Sequence, residues 1–177
     1  MRAQSSPWYA TLSSYWFASS FKWFLVLLAL LPTRVAELSP EPERAARLGF
    51  LFVLSAIIAI VGPPLFGYWS DRVGRRMPFI AFGSVLTALS LVWMAFAPSY
   101  SQLVIAYLLL QLSDDAVTGP YSSLVPDLVA RRRRGVASGW LGMLQVAGSV
   151  IAGAMVLLPI GLEGQFMLVA LVNLLAA

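Results

Sequence analysis

Gly67-Tyr68-Trp69-Ser70-Asp71-Arg72-Val73-Gly74-Arg75-Arg76 packs three arginines and an aspartate between two long apolar runs. Each flanking run is about as long as the roughly 20 apolar residues that cross a bilayer as helix. The stretch therefore reads as the charged turn of a transmembrane hairpin. Gly67 lets the end of the preceding helix approach a neighbour closely. Gly74 permits a sharp reversal through positive φ. Asp71 can accept backbone N–H groups at a helix start or pair with arginine. Arg75 and Arg76 can hold the turn against lipid headgroups.

Working outward, spans are expected over 9–31, 48–68, 78–97, 102–125, 136–160 and 165–177. Pro32 is expected to stop the first. A polar segment (33–47), a tight turn (98–101), the arginines at 131–134 and a turn at 161–164 separate the others. Composition agrees: 59% of residues are apolar, 11% are charged, and mean hydropathy is +0.80. Soluble domains carry about a quarter charged residues. The expected fold is all-α, a polytopic transmembrane helix bundle of about six helices. The sixth run supplies about 18 Å of helix against a core of about 30 Å, so the chain is expected to be a fragment of a longer protein. Lys22 interrupts the first apolar run and no small-residue cleavage site follows, so no signal peptide is expected.

With no cysteine and no histidine, disulfides, thiolate chemistry and the usual zinc sets are excluded. A proton relay would have to use Asp, Glu, Lys, Tyr or water. The net charge of +4 falls in short turns and reports topology. One side holds Arg2, the turn with Arg72, Arg75 and Arg76, and the arginines at 131–134. The other holds Arg34, Arg44 and Arg47 among Glu37, Glu41 and Glu43. The basic side is expected to be cytoplasmic, with the N-terminus on it. The run at 131–134 is read as a headgroup contact, and no nucleic-acid partner is expected. Trp8, Tyr9, Tyr68 and Tyr100 suit interfacial belts.

The pattern G-x-x-x-D-R-x-G-R-R, placed after the second span on the basic side, resembles the signature of the major facilitator superfamily. Residues Gly119, Pro120, Leu124, Asp127 and Leu128, as G-P-x-x-x-L-x-x-D-L, are similar to the fourth helix of sucrose transporters among the glycoside–pentoside–hexuronide cation symporters. The first resemblance implies that the chain is the N-terminal half of a two-half carrier whose C-terminal half is absent. It also implies that Gly67, Asp71, Arg72, Gly74, Arg75 and Arg76 form a gate holding the halves in one access state. Helices one, two, four and five would line the cavity.

Three ionisable residues lie far from any turn: Lys22, Asp114 and Asp115. Each costs about 2.5–3.5 kcal/mol at a helix centre on insertion scales, so a wet cavity or a partner is required. Gln111, Asp115, Thr118 and Ser122 recur as one stripe, while Asp114 shares a face with Val117 and Tyr121. Tyr15 and Ala18 share a face with Lys22. Two readings stand. In one, Asp115 is a proton or cation site and Lys22 its switchable partner. In the other, Lys22 and Asp114 form a structural ion pair.

The fifth span carries a stripe of Ser138, Gly142, Gln145, Ser149 and Gly153. Gln145 needs a partner, which a substrate hydroxyl would supply. Gly135, Gly139 and Gly148 are expected to allow close packing, and Pro120 to kink the fourth span. No nucleophile–base pair, phosphate loop or metal cluster is visible, so no enzyme activity and no cofactor are expected beyond a coupling proton or sodium ion.

The expected function is secondary active transport of a small solute by alternating access. The missing glycine–proline signature of antiporter fifth helices favours cation-coupled symport. An exporter or antiporter, a non-transporting sensor or assembly protein of the same fold, and a truncated product are the alternatives. The expected location is multi-pass in a bacterial inner (plasma) membrane, with lipid and a small-molecule substrate as partners.

Overall fold

A computed structural model describes residues 6–176; Arg2 and Ala177 fall outside them. Among the described residues every regular element is helical. α1 (Ser6–Leu25) passes through a π-helical turn (Val26–Leu30) into α2 (Leu31–Leu38), and together they form the first span. α3 (Arg44–Val73), α4 (Met77–Ala95) and α5 (Tyr100–Ser122) are the second to fourth spans. The short α6 (Leu124–Leu128) leads to α7 (Arg134–Met155) and α8 (Leu162–Ala176), the fifth and sixth.

The prolines are accommodated in different ways. Pro32 continues the first helix instead of ending it. It has no N–H for the carbonyl four residues back, and the turn just before it is widened, with the Leu31 N–H reaching the Val26 carbonyl. Pro63 and Pro64 lie inside α3 and Pro120 inside α5, where neighbouring helices supply the packing that tolerates them. Pro159 behaves ordinarily. It disfavours helix at the residue before it, and α7 ends at Met155, short of the expected 160.

The charged turn is shorter than the expected loop. Ser70, Asp71 and Arg72 have no reason to break a helix, and α3 runs on to Val73. Gly74 then reverses the chain at φ 68°, its N–H bonded to the carbonyls of Ser70 (3.0 Å) and Asp71 (3.2 Å). Asp71 therefore sits in the last turn of a helix, not at a helix start. At the far end, the Ser99 side chain caps α5 by accepting from the Gln102 N–H.

α5 is the central rod. It packs against α3 and α4, while α1 lies against α7 and α8 closes on α4 and α1. The main core joins Phe21, Leu25, Leu91, Met94, Leu103, Leu110 and Phe166. α3 and α7 are the least covered spans and expose long apolar faces, the surface of a bundle sitting in lipid or against a second bundle. The start of α1 meets the basic end, where Tyr9 packs with Val129 and Ala137. Tyr9 is thus buried instead of lying in an interfacial belt.

Small residues set the closest approaches. A Cβ on Gly119 would overlap the Pro63 carbonyl and lie 2.9 Å from the Gly67 nitrogen, so α3 and α5 touch backbone to backbone. Gly148 presses in the same way on the Phe17 carbonyl of α1. Gly135 and Gly139 do not: a Cβ on either meets nothing within 4 Å, contrary to the packing role expected of them.

Candidate functional site

Two adjacent aspartates on α5 point to different neighbours, because successive helical residues are about 100° apart. Asp114 faces α1. Its Oδ1 accepts from the Lys22 ammonium, in an ion pair, and from the Tyr15 hydroxyl at 2.7 Å. Its Oδ2 accepts from the Trp23 indole N–H at 2.6 Å. Tyr15 also bonds the Thr118 hydroxyl at 3.0 Å. Lys22 is 0% exposed and lies 5.4 Å from the centre of the Trp23 ring. Of the two sequence readings, the Lys22–Asp114 ion pair is the one the structure contains, and Asp115 is not the partner of Lys22. Thr118 likewise joins Asp114 through Tyr15, although periodicity put it on the Asp115 stripe.

Asp115 faces α3. Its Oδ1 accepts from the Gln111 amide at 3.0 Å, while its Oδ2 is buried without a hydrogen-bond partner. The side chain packs against α3 where Gly62 leaves room for it. A Cβ there would come within 2.8 Å of the Asp115 Cγ, one residue before Pro63–Pro64. Gln145 is not brought into either group. It sits half-buried on α7, one turn from Gly148, and its main-chain carbonyl accepts from the Ser149 hydroxyl at 3.2 Å. The Ser138–Gly153 stripe is nowhere fully buried.

A third cluster gathers at the basic end. One Arg76 nitrogen, Nη2, bridges Asp71 (2.9 Å) and Asp127 (2.8 Å), and Nη1 donates to the Pro120 carbonyl at 3.1 Å. Arg76 thus ties the end of α3 to the end of α5 and to α6. It is held by protein and is not a free headgroup anchor. The Arg72 guanidinium lies over the Tyr68 ring at 5.0 Å. Arg75 is exposed.

Trp23, Gly62 and the pairing of Asp127 with Arg76 escaped the sequence reading. Trp23 follows Lys22 directly, and an indole N–H inside a membrane needs an acceptor, so that signal was present. Among the described residues no group of three or more acidic, histidine or cysteine side chains could hold a metal.

A bundle of apolar helices with ionisable groups buried at mid-span and an arginine-bridged hairpin at one end is the architecture of a multi-pass membrane protein. The Major Facilitator Superfamily profile matches residues 9–177. The chain belongs to that superfamily. It is 28% identical over 159 residues to the class E tetracycline resistance protein of Escherichia coli, covering 85% of this chain and 37% of that protein. It is 35% identical over 78 residues to the class D protein of Salmonella ordonez, 40% of this chain and 20% of that one. A sucrose transport protein of Arabidopsis thaliana matches at 24% over 128 residues, 58% of this chain and 22% of that protein. The chain thus spans well under half the length of the relatives it matches. Their names divide between drug resistance and sugar transport and do not favour symport.

Proposed function

We propose that this chain forms the N-terminal half of a secondary active transporter that moves a small organic solute by alternating access. The observation that carries the proposal is the pair of buried carboxylates on α5 with opposite degrees of satisfaction. Asp114 is held by three donors from α1 and fixes α1 to α5. Asp115 has one donor and a bare oxygen against α3. A rigid-body shift of α3 would admit water to that oxygen, and a proton or sodium ion could then bind or leave. Asp115, with Gln111, is accordingly the coupling site, and Lys22, Asp114, Trp23 and Thr118 form the frame that positions it. Gln145 and the partly covered stripe on α7 supply the cavity wall. The work is transfer without covalent chemistry, so no catalytic residue is assigned.

The Gly67–Arg76 hairpin fits a gate: Arg76 holds the end of α3 to α6, and releasing it frees α3. The basic end is assigned to the cytoplasm by its arginines. The same half serves a symporter or an exchanger. The resistance proteins among the relatives favour a second reading, in which solute leaves as a cation enters.

The full-length protein in proteoliposomes tests the coupling. Asp115→Asn preserves size and the Gln111 contact, so folding is expected to survive while solute movement loses its dependence on the pH or sodium gradient. Unchanged coupling would remove Asp115 from the role. Imposing the gradient in either direction separates symport from exchange.

A further inference from the structure

Asp115 stands where residue 62 would carry a side chain. A Cβ on Gly62 would meet the Asp115 Cβ at 2.7 Å and its Cγ at 2.8 Å, and would come closer still to Oδ2. The oxygen that lacks a donor is therefore already in contact with α3, and no ion-sized gap separates the two. A hard metal cation takes several oxygen ligands at once, and sodium sites in carriers are built from backbone carbonyls. This carboxyl has the opposite surroundings. Its hydrogen-bond partner among the described residues is the Gln111 amide, a donor, at 3.0 Å from Oδ1. Oδ2 has none.

The balance of charge points the same way. The charged groups that act on Asp115 are Asp114, on its own helix, and Lys22, on α1, and those two pair with each other. The charged residues of α3 lie at its two ends, and α4 has none. The Tyr15 and Tyr107 hydroxyls are bonded to Asp114 and Ser55. An ionised Asp115 would be 4% exposed with one neutral donor, a costly state, whereas the acid form leaves no charge to compensate.

We propose that Gly62 makes Asp115 selective for a proton over a metal cation. The acid form docks in the space that the missing Cβ leaves on α3, and the ionised form has to leave it. This rests on the reading of Asp115 as the coupling site and names the ion carried there. The proton comes from a hydronium in the water that enters when α3 moves off. It forms the Oδ2–H bond, leaves a water molecule behind, and returns to water by the reverse step. Gly62 acts through Asp115 and is a positioning residue. Closure of α3 on α5 is thereby conditional on protonation.

The test is infrared difference spectroscopy of the full-length protein in proteoliposomes, which reads the C=O stretch of protonated carboxyls without any solute. In buffer where exposed carboxyls are ionised, wild type should show a band that Asp115→Asn lacks. Sodium in place of choline as the added cation should leave that band unchanged. Gly62→Ala puts a Cβ in the docking space and should lose it. Gly49→Ala, on the same helix with nothing within 4 Å of its added Cβ, should keep it. Asp115→Asn fills the space without a charge, so the wild-type and sodium comparisons decide the matter if Gly62→Ala fails to fold. A wild type without the band, a band removed by sodium, or an undiminished band in Gly62→Ala would each overturn the proposal. A band that behaves as expected beside solute coupling unchanged by Asp115→Asn would uphold the Gly62 contact and remove only the coupling role.

Discussion

Removing Lys22 leaves the Asp114 carboxylate buried with only neutral donors, and the size of the penalty follows from the contacts. Breaking a buried ion pair by deleting one partner costs about 3–5 kcal/mol. Asp114 keeps Tyr15 and Trp23, each worth about 1.5–3 kcal/mol as a bond to a charged group, so Lys22→Met should fall near the lower figure. Deleting the carboxylate is worse. Asp114→Leu orphans the Lys22 ammonium and the Trp23 N–H together, and Tyr15 retains only Thr118. That loss should reach the upper figure. Lys22→Met combined with Asp114→Leu removes both charges and should recover the share of the loss due to the unpaired ammonium, because paired apolar replacements of an ion pair are often close to neutral. The measurement is thermal unfolding of the full-length protein in detergent, followed by size-exclusion fluorescence. The shift is about 2–4 °C per kcal/mol for a domain of this size and smaller for a longer chain, so Lys22→Met should melt below wild type by up to roughly 6–12 °C. The double variant should lie between Asp114→Leu and wild type, short of wild type by the orphaned Trp23 N–H at about 1–3 kcal/mol. A double variant as unstable as Asp114→Leu alone would refute the claim that the pair is one mutually satisfied unit. So would a Lys22→Met variant that melts like wild type.

Glycine substitutions should separate backbone contacts from open surface. Gly119→Ala drives α3 and α5 apart and should cost about 1–3 kcal/mol as overpacking; Gly135→Ala meets nothing and should gain up to about 1 kcal/mol from helix propensity. The same melting assay reads both, and equal behaviour would contradict the close approach at Gly119. Arg76→Gln should lower stability by less than about 2 kcal/mol, since partly exposed pairs are worth about 0.2–1 kcal/mol each, yet it should widen the distance between spin labels at the exposed Val73 and Ala130. Arg76→Lys should not restore the short distance, because one ammonium cannot reproduce a guanidinium that spans three acceptors.

The bundle itself was legible because apolar runs of bilayer length are hard to mistake, and the hairpin because Gly74 has to adopt positive φ. The partners of the aspartates were half legible. Helical spacing fixes the angle between Asp114 and Asp115 but not the rotation of α5 within the bundle, and that rotation assigns Lys22 to one and Gly62 to the other. A glycine in sequence does not reveal whether anything faces it. Gly148 and Gly119 meet backbone, while Gly135 and Gly139 meet none, although all four read alike. Pro32 misled for a related reason. A proline marks a carbonyl without its donor, and whether the helix stops or stretches around that gap depends on neighbours distant in sequence.

The widened turn at Val26–Leu30 holds a surplus residue within an otherwise continuous rod. Such a wrinkle need not stay where it is. If it moved one turn toward the N-terminus, every side chain it passed would swing by about 100° around the axis, while Arg34, tied to the Ala97 carbonyl at 2.9 Å, kept the far end still. Lys22 and Trp23 lie in the turn just before it, so the first helix contains the means to twist its charged segment without unwinding.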